Sequence, residues 1–68
     1  MIEKIDRRFG TVAIKSGFIT PGQLLNAMKI QIQDELKGAK YRLIGEILRD
    51  EGYITDIQIE KVLKTMRL

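Results

Sequence analysis

The sequence predicts a small all-α domain: two tandem helix-turn-helix units, four helices in all, packed as a small orthogonal bundle. Three observations predict it. The chain matches itself at an offset of 35 residues, each copy carries a glycine where a helix should stop, and each carries a capping box where the next should start. The offset pairs Arg7/Arg42, Gly10/Gly45, Gly17/Gly52, Ile19/Ile54, Thr20/Thr55, Gln23/Gln58 and Lys29/Lys64 as identities. It also keeps chemical class at Phe9/Ile44, Val12/Ile47, Phe18/Tyr53, Leu24/Ile59, Ala27/Val62 and Met28/Leu63. One supersecondary unit has been used twice. The 68 residues form a single domain, with unit one at about 4–37 and unit two at about 41–67.

The first helix is expected over about 4–16, where Phe9, Val12 and Ala13 recur at helical spacing, and Gly17 stands where a left-handed residue ends a helix. The second, over about 21–36, starts at the capping box Thr20-Pro21-Gly22-Gln23. There the Thr hydroxyl accepts from the N3 amide and the Gln side chain reaches back to the N-cap amide. Pro21 falls at N1, where its missing N–H costs nothing, and Ile19 with Leu24 forms a hydrophobic staple. Leu24, Leu25, Met28, Ile32 and Leu36 are its expected buried face. Gly38-Ala39 breaks the chain, and Lys37, Lys40 and Arg42 make the connection a basic, solvated linker. A third helix is expected over about 42–51, closed by Gly52. The fourth, over about 56–66, follows the box Thr55-Asp56-Ile57-Gln58 and the staple Ile54/Ile59, and buries Ile59, Val62, Leu63 and Met66. Each unit is expected to fold as an antiparallel hairpin.

Composition excludes several classes. With no Cys there is neither a disulfide nor a thiolate metal site. There is no His, the lone Ser16 has no base beside it, and the acids form no paired-carboxylate motif, so no enzyme is expected. The net charge of +3, from 12 Lys+Arg against 9 Asp+Glu, is mild for a nucleic-acid binder. DNA binding through Lys61, Lys64 and Arg67 is therefore disfavoured, since the Gly-Tyr-Ile-Thr turn is explained by caps and staples. No apolar run reaches the length of a membrane span or a signal peptide, and a cytoplasmic location is expected. A chain this short has a marginal core. A protein partner or a second subunit is expected to cover part of it.

Arg8-Phe9-Gly10, then Ile14, Gly17-Phe18-Ile19, Leu24, Met28 and Gln31, resembles the tandem motif of the N-terminal domain of type II secretion and type IV pilus assembly ATPases. The second unit is similar over Leu43-Ile44-Gly45, Leu48, Gly52-Tyr53-Ile54, Ile59, Leu63 and Met66. In some members that domain binds cyclic di-GMP, and in secretion ATPases it docks a platform protein. The resemblance implies a non-enzymatic binding module with no cofactor and with ligand-binding residues Arg8, Gly10, Gly17, Leu24, Met28, Gln31, Gly45 and Gly52. An Arg fork can meet the O6/N7 edge of guanine bidentately, which makes Arg8 the polar anchor. Gln31 carries a donor and an acceptor and is expected at the rim of an apolar groove. The second unit departs from the pattern: Leu43 stands at the motif Arg and Met66 at the motif Gln, and the spacer 32–42 is long. The alternative to nucleotide binding is a protein–protein docking module receiving a partner helix.

Overall fold

In a computed structural model, which describes residues 4–67, the chain forms four helices: α1 (Lys4–Lys15), α2 (Pro21–Leu36), α3 (Ile44–Asp50) and α4 (Asp56–Met66). No strand is present among the described residues. Local chemistry sets the ends. Thr20 and Thr55 have extended backbones with φ −100° and ψ 160° or 163°, and each closes a full capping box with Gln23 or Gln58. Gly17 and Gly52 sit at φ +78° and +79°, a region closed to most side chains. Each belongs to a Schellman motif: Phe18 N donates to Ala13 O with Gly17 N to Ile14 O, and Tyr53 N donates to Leu48 O with Gly52 N to Arg49 O. α2 ends in the same way at Gly38, with Ala39 N donating to Asp34 O.

The expected antiparallel hairpins do not form, and the units interleave. α1 packs mainly on α4 and α3, and α2 on α3, while contacts within each unit's own helix pair are few. Exchanging the units turns the α1–α4 contact into the α3–α2 contact and returns α1–α3 to itself, so the packing has a pseudo-two-fold arrangement. Connections of five residues, tightened by Schellman turns, send each second helix away from the first rather than back along it. The core so enclosed comprises Phe9, Ala13, Leu24 and Ala27 from unit one and Ile44, Ile47, Leu48, Val62 and Met66 from unit two, with Ile19 and Ile54 at the staples.

Both helix-interior glycines are explained by helix packing. A Cβ on Gly10 would lie 2.6 Å from Leu24 Cδ1, and one on Gly45 3.1 Å from the Phe9 ring. Bare backbone lets α1 meet α2 and α3 at these two points.

Two expected buried faces are corrected. In α2 the buried residues are Leu24, Ala27 and Gln31, with Met28 half-buried, whereas Leu25, Ile32 and Leu36 face outward at 66%, 46% and 82% exposure. In α4, Val62 and Met66 are buried, Ile59 is half-buried and Leu63 is exposed. α3 begins at Ile44, two residues later than expected, because Leu43 keeps an extended backbone (φ −67°, ψ 152°).

Candidate functional site

The first-unit motif lies along α1 and α2. Arg8 is exposed and has no hydrogen bond or ion pair among the described residues. Gly10 and Leu24 are buried against each other, and Met28 lies partly buried beside the core. Gly17 and Gly52 are exposed turn residues fixed by their backbone role, and Gly45 is buried under Phe9.

Gln31 is not at a groove rim. It is 3% exposed, and its amide nitrogen donates to Asp6 Oδ2 at 3.0 Å and to the backbone carbonyl of Arg42 at 2.8 Å. Both partners are acceptors, which fixes the amide orientation and leaves Gln31 Oε1 buried without a hydrogen bond. Asp6 is the centre of this cluster. Also 3% exposed, it accepts from Tyr41 Oη at 2.6 Å through Oδ2 and from the Ile44 amide at 3.3 Å through Oδ1. A buried carboxylate is costly unless donors surround it, and here three do. One of them is the first amide of α3, so Asp6 caps α3 from another helix. Glu46 assists by accepting from the Leu43 amide at 2.9 Å. The cluster ties α1, α2, the connection and α3 together.

The connection between the units is not a freely solvated linker. Arg42 Nη2 and Nε meet Asp34 Oδ2 at 2.7 and 3.0 Å, and Nη1 meets Asp50 at 3.1 Å. Hydrogen bonds from Asp34, then Asp50, hold the Arg42 guanidinium above its ordinary pKa. Its charge clamps the C-terminal end of α2 to that of α3. A recess of about 350 Å³ lies beside this clamp, lined by Gln31, Asp34, Tyr41 and Arg42 among others.

Asp6 carries a sequence signal that hydropathy alone passes over. Asp6, Phe9, Gly10 and Ala13 share one helical face, so an acid there interrupts an apolar stripe and calls for buried donors. Arg42 carried no such signal, since its partners come from two other helices.

A second recess, about 170 Å³, lies between α1, α3 and α4. Its walls include Leu43, Gly45, Ile59, Leu63 and Met66. Subtracting 35 gives Arg8, Gly10, Leu24, Met28 and Gln31, the motif positions of unit one. The apolar groove is thus unit two's counterpart of that motif. Where unit one has a cation and an amide, the groove has Leu43 and Met66. Ile5 and Phe9 of α1 complete its apolar wall, with Asp6, Glu46 and Arg49 as its polar residues.

No cluster of three or more metal-ligating side chains occurs among the described residues. No described helix is long and apolar enough to cross a membrane. No family model, curated protein or solved structure matches this chain.

Proposed function

We propose that this chain is a non-enzymatic docking module whose recognition surface is the apolar groove of unit two. One observation carries this reading: at the positions where unit one has Arg8 and Gln31, the groove has Leu43 and Met66, among Ile59, Leu63, Phe9 and Ile5. Such a wall offers little to a nucleotide's polar edges and much to the apolar face of an amphipathic helix. Leu43, Leu63 and Ile5 are also exposed, so apolar surface continues beyond the groove.

Cyclic di-GMP, or a related guanine nucleotide, at unit one is the second reading. Arg8 favours it, being exposed and unpaired among the described residues. Gln31 weighs against it, because its amide nitrogen is already committed to Asp6 and the Arg42 carbonyl.

Backbone amide spectra recorded during two titrations decide between the readings. With an amphipathic helical peptide bearing leucines at i, i+3 and i+7, shifts are expected at Ile5, Leu43, Gly45 and Leu63. With cyclic di-GMP, docking alone predicts no shift. Saturable nucleotide shifts at Arg8 and Gly10, lost in Arg8→Ala, would replace the docking reading with the nucleotide one. No response to the peptide would remove the groove as a docking site.

A further inference from the structure

The repeat supplies an internal control for surface composition, because the outward faces of α2 and α4 are built from equivalent positions. Along α4 and its C-cap they read Glu60, Lys64 and Arg67; in α2 they read Leu25, Lys29 and Ile32, continued by Leu36. All seven are exposed. The fold therefore tolerates charge at these positions, and packing within the chain does not explain leucine and isoleucine in α2. Four residues at offsets 0, 4, 7 and 11 form one stripe along a helix of 16 residues, about 24 Å long. This is the form of ligand that the groove of unit two would take.

Building on the docking reading, we propose that the groove's partner is a second copy of this chain, which inserts the Leu25–Ile32–Leu36 stripe of its α2. Two features favour a copy over an unrelated helix. The described surface carries both halves of a helix-in-groove contact on different helices, each exposed. Charge is matched as well: Lys29 rises from the middle of the stripe, and the groove's polar side presents the carboxylate of Glu46, while Arg49 reaches toward Asp50 and Asp56. Two α2 stripes paired side by side would instead set Lys29 against Lys29 when parallel or against Ile32 when antiparallel, and neither arrangement gives it an acid along the stripe.

The contact is heterologous: the face given differs from the face received, so each copy can bind one neighbour at each face. Area sets its strength. A standard interface buries about 800 Å² per partner, and one short helix in a shallow groove falls below that, which makes a weak, concentration-dependent association.

Mass measured by sedimentation or light scattering between about 10 μM and about 1 mM tests this, since the range brackets weak affinities. Wild type is expected to rise in mass with concentration past the dimer. Leu25→Glu with Leu36→Glu removes the stripe, Leu43→Asp with Leu63→Glu removes the groove, and each double variant alone should be a monomer. Mixed one to one, they should form a dimer that grows no further, because each retains the half the other has lost. A groove variant that still dimerises alone would overturn the proposal in favour of paired α2 stripes. A wild type monomeric throughout would overturn the self-partner while leaving the peptide titration to judge the groove. Should a variant fail to melt cooperatively, concentration-dependent line broadening in wild type replaces it. Broadening is expected at both Leu25–Leu36 and Leu43–Leu63, and its absence at either surface overturns the proposal.

Discussion

The two units share their turns and differ in their interiors. Gly17 and Gly52 agree within one degree in φ, and the Thr20 and Thr55 caps within three degrees in ψ. Yet Val12 is half-buried where Ile47 is fully buried, and Ala13 occupies the place of Leu48. Of the four largest fully enclosed side chains, Ile44, Ile47, Leu48 and Val62, all belong to unit two. Beside Phe9 and Leu24, unit one contributes the small Ala13 and Ala27 and the buried polar pair Asp6 and Gln31; unit two contributes the bulk that is fully enclosed. Local devices that set chain direction are held in common, whereas the parts that fill space are complementary, as two halves meeting across a pseudo-two-fold must be.

The sharpest way to break that comparison is to give unit two the residue of unit one. Leu48→Ala copies Ala13 and should cost about 3 kcal/mol, the range of a fully buried Leu truncation, read from denaturant unfolding. A cost below about 1 kcal/mol would mean that the bulk is not concentrated in unit two. Next in size is the polar cluster. Asp6→Ala strands the Ile44 amide and takes one acceptor each from the Gln31 amide nitrogen and the Tyr41 hydroxyl, and should cost about 2 kcal/mol. Tyr41→Phe, at the equivalent position of unit two, removes one of those bonds and should cost about half as much. Equal costs would show that Tyr41 supplies most of the cluster's hold. Smallest, and a test of sameness, are Thr20→Ala and Thr55→Ala. Each should lose about 1 kcal/mol, measured as similar drops in melting temperature. A clear inequality would show that one cap is redundant.

The helices, their order and all their ends but the start of α3 were legible because their causes lie within a few residues: capping boxes, staples and glycines at C′. The inward face of α2 was not. Leu25, Ile32 and Leu36 compete with Leu24, Ala27 and Gln31 for the core, and hydropathy favours the wrong set. What brings Gln31 inward is Asp6, twenty-five residues away, together with a carbonyl on the connection. The start of α3 was misplaced for a related reason: its first amide is capped from α1, so no capping side chain stands at Leu43. The eight motif positions illustrate the same limit. Their glycines follow from turn and packing geometry, but whether Arg8 and Gln31 share a surface depends on where α2 turns its polar face.

The interleaved packing bears on how this chain must fold. α1 and α4 lie at opposite ends of the sequence, and their contact closes a loop spanning nearly the whole molecule. Loop closure of that length precedes the gain from burying Val62 and Met66, so neither unit can reach its final packing first. Unfolding should therefore be a single cooperative transition despite the repeat. Cutting the chain at Gly38-Ala39 would leave two fragments, each with half an interior and no hairpin of its own. Either would have to recover its missing half from the other fragment or from a second copy of itself.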